Sequence, residues 1–280
     1  MGNTPLYHAF RDRLRNDLTY ETPSGPARWQ FGGLRGLRTV CFHLRVLAGY
    51  RTARALIRQG RFDLDEYAWR AVANLRVAEG AGAHVKVTGL EHLAQTDGPV
   101  VIVGNHMSSL ETVVLPCFLL PFKDVAFVVK EALTTHAIFG PIMRAVKCIP
   151  VSRQNPREDL KRVLSSGTEL LKSGASVVIF PQATRATVFD PSQFNTLGVK
   201  LAARAGVPVV PMALRTDFWA NGRWIKDLGP ICSERPIRVA FDAARRVAGT
   251  GREEHEAIVA FITQRLHEWG LSTKDVPHDA

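Results

Sequence analysis

From about residue 80 onward, apolar residues fall into short β-branched runs separated by polar stretches. HVKVT (84–88), VVIV (100–103), VAFVV (125–129), CIPV (148–151), VVIF (177–180), VPVVPMAL (207–214) and IRVAF (237–241) have the length and composition of buried strands. Between them, apolar positions recur at helical spacing: Leu160, Val163, Leu164, Leu170 and Leu171 within 157–173, and Ile258, Phe261, Ile262 and Trp269 near the end. Strands alternating with helices predict an α/β fold, with a mixed, largely parallel sheet flanked by helices. The two prolines of VPVVPMAL predict a strand end or a sheet edge for that run.

The first part of the chain has a different texture. Residues 1–27 are polar, with Pro5, Pro23 and Pro26, and predict a short helix followed by a loose connection. From Arg28 to Arg61 there are eight arginines and no acidic residue. On a helix, Leu34, Leu37, Cys41, Leu44 and Ala48 share a face with Val40 and Leu47, while Arg35, Arg38 and Arg45 lie away from it. The phase shifts after Gly49, which predicts a kink or two short helices. A basic amphipathic helix of this kind suits the surface of an anionic bilayer, with Trp29, Phe31, Arg35, Arg38 and Arg45 as its contacts. The chain therefore divides into a polar segment (1–27), a basic amphipathic helical element (28–75) and one large domain (76–280).

Bulk properties narrow the classes. A 280-residue chain that is 46% hydrophobic supports one large core. The longest apolar candidate, Val40 to Tyr50, is interrupted by His43 and Arg45, so membrane attachment is expected to be interfacial. The N-terminus lacks the apolar core of a secretory signal, which predicts a peripheral protein on the cytoplasmic face of a membrane. The net charge of +10 calls for an anionic partner. Nucleic acid is set aside because only Trp29 and Phe31 accompany the arginine run as stacking aromatics. The four cysteines have no paired CxxC spacing and read as buried thiols, with no metal site or disulfide framework.

Two segments carry chemistry. In VVIVGNHMSSLET an apolar strand runs into Gly104 and Asn105, then His106, with Glu111 five positions later. A residue just beyond a buried strand is held rigidly and still exposed. A neutral histidine there can take a proton from an alcohol attacking a carbonyl, and Glu111 on the other ring nitrogen would fix the tautomer. The spacing alone is weak, since nine histidines and 26 acids predict roughly 0.8 such pairs by chance. His92 and Asp97 have the same separation, but in a polar stretch, LEHLAQTDGP, that reads as loop. In the second segment, VVIFPQATR, another strand empties into Thr184 and Arg185, suited to bind a phosphate. CIPVSR ends similarly at Arg153.

In their order, these segments resemble the 1-acyl-glycerol-3-phosphate acyltransferase family of lysophospholipid acyltransferases. NHMSSLE, KCIPVSR, FPQATR and VPVVPMAL match its four blocks, and KEALTTHAIFGPIMRAV resembles the stretch between the first two. The similarity covers roughly residues 84–241. It implies that 76–280 is an acyltransferase domain in which His106 is the general base and Glu111 its orienting carboxylate. Arg153, Gln182, Thr184 and Arg185 are the implied acceptor-binding positions. It further implies acyl-carrier protein or acyl-coenzyme A as co-substrate, no bound cofactor or metal, and a lysolipid acceptor. Three positions depart from the usual pattern: Glu111 stands for aspartate, Gln182 for glutamate and Ala183 for glycine. They keep two alternatives in view, another anionic lysolipid or glycolipid acceptor, and a catalytically silent lipid-binding protein on the same fold.

Overall fold

A computed structural model describes residues 4–25, 29, 35–182 and 184–274. All seven apolar runs form strands: β2 (Val85–Thr88), β3 (Val101–Gly104), β4 (Val125–Lys130), β5 (Cys148–Val151), β6 (Ser176–Ile179), β7 (Val209–Arg215) and β8 (Ile237–Phe241). An eighth, β1 (Tyr20–Glu21), lies in the segment expected to be loose. It pairs antiparallel with β2 and is pinned by the Tyr20 hydroxyl, which donates to buried Glu79 at 2.6 Å. Burial and that bond push the Tyr20 pKa well above its ordinary value. The helices are α1 (Thr4–Asp17), α2 (Arg35–Arg58), α3 (Leu64–Gly80), α4 (Leu90–Ala94), α5 (Leu110–Leu119), α6 (Ala132–Thr135), α7 (Gly140–Ala145), α8 (Pro156–Lys172), α9 (Leu197–Ala205) and α10 (Arg252–Glu268). His92 belongs to α4 rather than to a loop, and its ring reaches Glu91 at 4.0 Å.

The sheet order is β1-β2-β8-β7-β3-β6-β4-β5, with β1/β2 and β7/β8 antiparallel and the other pairs parallel. Alternating side chains feed two cores. Ile102, Val178 and Val210 face the layer of α1, α2, α3 and α5, while Val101, Val103, Val177, Ile179 and Val209 face α8, α9 and α10. Of the four cysteines only Cys117 is fully buried.

Two expectations are corrected. The run VPVVPMAL is not at an edge: β7 lies between β8 and β3. Pro208 precedes the strand, and Pro211 is tolerated because its flank faces the place where β8 ends. There Asp242 N donates to the Pro211 carbonyl at 3.1 Å, and Val209 N donates to Arg245 O at 2.9 Å. The second correction concerns α2, which is one continuous helix through Gly49. Its buried face is Phe42, Val46 and Ala53, whereas Leu37, Val40 and Leu44 are 45%, 52% and 59% exposed. The stripe read from the sequence thus exists but is turned away from the core. No helix among the described residues is long and apolar enough to cross a membrane.

Candidate active site

Because β7, β3, β6, β4 and β5 run parallel, their C-terminal ends and the loops that follow lie along one edge of the sheet, the usual location of chemistry in open α/β sheets. His106 leaves from β3 and Arg185 from β6, immediate neighbours in the sheet. Gly104 lets β3 approach β7 closely, since a Cβ there would stand 2.8 Å from the Met212 carbonyl. One residue on, Asn105 clamps the two strands: its Nδ2 donates to Leu214 O and its Oδ1 accepts from Leu214 N, each at 2.8 Å.

His106 is fixed on every side but one. Its backbone N–H donates to Gln182 Oε1 at 2.7 Å, and its carbonyl accepts from Ala186 N at 2.9 Å. Its ring stacks on Phe180, with centroids 4.6 Å apart and planes inclined by 11°. Nδ1 bonds to Glu111 Oε2. Since a carboxylate only accepts, that bond holds the proton on Nδ1 and leaves Nε2 as the basic nitrogen of the neutral ring. Nε2 has no protein partner among the described residues. Glu111, in the first turn of α5, is fully buried. Its Oε1 accepts from Met107 N at 2.8 Å, Ser108 N at 2.9 Å and the Thr216 hydroxyl at 2.5 Å, so a buried carboxylate meets the donors it needs.

The basic side of the site is built from two loops. Arg153 follows β5 at φ 61°, an unusual backbone for a non-glycine residue. Asp159, in the first turn of α8, holds that turn by accepting from Ser152 N at 2.8 Å and Arg153 N at 2.7 Å. Desolvation and then the like charge of Arg185 lower the Arg153 pKa, against the pull of Asp159, so the two guanidinium groups share one field. Arg185 Nη1 donates to the Ser109 hydroxyl and, at 2.6 Å, to Asp227 Oδ1. Burial raises the Asp227 pKa, but hydrogen bonds from Ser109 and Arg185 outweigh it and leave the carboxyl below its ordinary value. Thr184 receives a hydrogen bond from Lys226 Nζ at 2.7 Å. No group of three or more His, Cys, Asp or Glu among the described residues is placed to hold a metal.

The sequence-derived residues fall into two sets. His106, Glu111, Gln182, Thr184, Arg185 and Arg153 lie along this edge, although Gln182 is spent on the His106 backbone. Trp29 and Arg38 are engaged by the protein: the Trp29 ring lies against Gly80, and Arg38 bonds to Ser233. Arg45 is exposed and stacks over Trp29 at 4.7 Å. Phe31 and the Arg35 side chain lie outside the described residues. Sequence reasoning missed Thr216, Ser109 and Asp227. Thr216 directly follows a recognised strand, whereas Asp227 had no signal in the linear order.

The chain is also similar to known proteins. Residues 84–215 match the family model described as Acyltransferase. The chain is 30% identical over 249 residues to a 1-acyl-sn-glycerol-3-phosphate acyltransferase of Pseudomonas aeruginosa, covering 86% of this chain and 91% of that one. It is 36% identical over 133 residues to a chloroplastic 1-acyl-sn-glycerol-3-phosphate acyltransferase of Arabidopsis thaliana, across 46% and 35% of the two chains. The crystal structure of the 1-acyl-sn-glycerophosphate (LPA) acyltransferase PlsC from Thermotoga maritima superposes with a TM-score of 0.63 at 18% identity, covering 86% and 98%, and shares the fold. The length and identity of the Pseudomonas match, with a histidine and carboxylate paired at the sheet edge, make the chain a member of the 1-acyl-sn-glycerol-3-phosphate acyltransferase family of O-acyltransferases.

Proposed function

We propose that the protein transfers a fatty acyl group from acyl-carrier protein or acyl-coenzyme A to the free hydroxyl of lysophosphatidate, with His106 as general base. The observation that carries this reading is the Nδ1 bond from His106 to buried Glu111, which leaves Nε2 bare at the sheet edge beside a basic loop. In the reaction, the acceptor's O–H proton passes to Nε2 as its oxygen attacks the thioester carbonyl. A C–O bond forms, the C–S bond breaks, and the proton returns from Nε2 to the departing sulfur. Glu111 stabilises the imidazolium between those steps. Arg153 and Arg185 bind the acceptor's phosphate, and Gln182 holds the His106 backbone. The thioester is a co-substrate, and the reaction as written requires no cofactor. Lysophosphatidate is favoured by the names of the relatives.

Membrane attachment at the cytoplasmic face fits the same reading. The exposed Leu37, Val40 and Leu44 form an apolar stripe on a helix rich in arginine, suited to lie in an anionic interface. The decisive test is acyl transfer by purified protein supplied with either thioester and lysophosphatidate in vesicles. His106→Ala should abolish transfer while vesicle binding persists. An unchanged rate would refute the assignment of the base.

A further inference from the structure

The loop between β7 and β8 presents bulky apolar side chains outward and polar ones inward. Trp224, Ile225 and Leu228 are 90%, 57% and 60% exposed. The loop is nevertheless well formed. Trp219 and Ile231 bridge its base, Ala220 N donates to Pro230 O and Gly222 N to Lys226 O, both at 3.1 Å. Gly222 and Gly229 sit where a Cβ would collide with the loop's own backbone. Ordered structure therefore holds the three apolar groups in water. The loop also adjoins the N-terminal half of α2, through His43 to Gly229 O at 2.9 Å and Ile231 N to Thr39 Oγ1 at 3.1 Å. The exposed stripe of Leu37, Val40 and Leu44 is on that same half.

The inward side reaches the candidate active site. Asn221 donates to Met107 O at 3.0 Å, Lys226 to Thr184, and Asp227 accepts from both Ser109 and Arg185. A carboxylate thus occupies Nη1 of the arginine assigned to the acceptor's phosphate. A phosphate arriving at that guanidinium meets a like charge, so phosphate and Asp227 compete for it.

We propose that residues 221–229 are a second bilayer-docking element, whose insertion into an anionic membrane is coupled to exchange of the Asp227 carboxylate for the acceptor's phosphate on Arg185. The partner is an anionic phospholipid surface. A tryptophan whose ring is amphipathic, stacked under Arg223 with 5.5 Å from guanidinium to centroid, suits the headgroup layer, and Arg223 adds positive charge beside it. The coupling half rests on the lysophosphatidate reading, whereas the docking half does not.

The test has two arms. Tryptophan fluorescence is followed on titration with vesicles of phosphatidylglycerol and phosphatidylcholine carrying brominated acyl chains. Wild type should be quenched, and Trp224→Phe should lose that component. Equal quenching in both proteins would overturn docking by the loop. In the second arm, Asp227→Asn should lower the KM for vesicle-borne lysophosphatidate about fivefold to tenfold with little change in kcat. A raised KM would mean that Asp227 merely holds Arg185 in place, and would overturn the exchange. For Trp224→Ser, the rate on vesicle-borne acceptor should fall about tenfold relative to the rate on a monomeric short-chain acceptor. An unchanged ratio would also overturn it. If wild type acylates lysophosphatidate in neither form, the acceptor assignment fails, and the quenching arm still decides whether the loop docks.

Discussion

Replacing Glu111 by glutamine tests the histidine and carboxylate pair with the smallest change of shape. Oε1 of Glu111 serves three donors, Met107 N, Ser108 N and Thr216 Oγ1, and Oε2 serves His106 alone. A glutamine has one carbonyl oxygen for these two roles. With its oxygen at the Oε1 position, three bonds survive and an amide N–H faces Nδ1. That donor forces Nδ1 to accept, moves the ring proton to Nε2 and removes the proposed base. The reversed placement leaves two buried backbone N–H groups facing donors, at about 1–3 kcal/mol each, so the first placement wins. A wrong-tautomer substitution in a serine protease triad costs about 10⁴-fold in kcat, which puts the loss here at roughly 10³- to 10⁴-fold, or about 4–5.5 kcal/mol. The KM for lysophosphatidate should move less than about threefold, because Arg153 and Arg185, the proposed phosphate ligands, are untouched. Thiol release from acyl-coenzyme A or acyl-carrier protein under saturating acceptor measures kcat, and a urea midpoint verifies folding. Glu111→Asp, which retains the charge, should lose far less. A folded Glu111→Gln protein with kcat within tenfold of wild type would refute the reasoning.

Other substitutions probe the supports. Gln182→Leu removes the acceptor for His106 N–H, so a urea midpoint should report a loss of about 1–3 kcal/mol, and kcat should fall with it. Gly104→Ala forces a Cβ against the Met212 carbonyl, and denaturation should show a cost of about 1–3 kcal/mol, against near-neutrality at Gly36, where a Cβ meets nothing within 4 Å. Asp159→Ala releases the turn that presents Arg153, so with Arg153 in its proposed role the acceptor KM should rise severalfold while kcat holds. The pH dependence follows from the same carboxylate. Burial raises the Asp159 pKa, but hydrogen bonds from Ser152 and Arg153 outweigh it and the pKa falls below 3.8. Its contribution to stability is therefore complete above about pH 3.8 and disappears as the pH falls through the lowered value, which acid denaturation of wild type and Asp159→Ala would compare.

Much of the fold was legible because buried strands in a mostly parallel sheet are apolar on both faces. Runs such as VVIV and VVIF have little alternative but to be covered from both sides. β1 escaped because two residues have no period, and its place depends on Tyr20 meeting Glu79, 59 residues away. In helix α2 the sequence showed the stripe that stays exposed but not the face that is buried, because its apolar residues surround most of the cylinder. Periodicity detects a stripe, but Phe42 and Trp219, with centroids 5.0 Å apart, decide which stripe faces inward. At the site, His106 and Glu111 lie only five positions apart and were visible as a pair. Thr216 and Asp227 join them only through the pairing of β3 with β7 and the loop that follows.

The position of β8 bears on how far the recognisable acyltransferase stretch is a module. Residues 84–215 hold β2 through β7, yet β2 pairs only with β1 and β8, which lie on either side of that stretch in the chain. Cut at those limits, the fragment would keep β2 with neither neighbour and Glu111 without the Thr216 hydroxyl. The flanking sequence is thus woven into the sheet rather than appended to it. Any attempt to shrink this enzyme to its signature, or to exchange that signature between relatives, has to carry both ends of the sheet along.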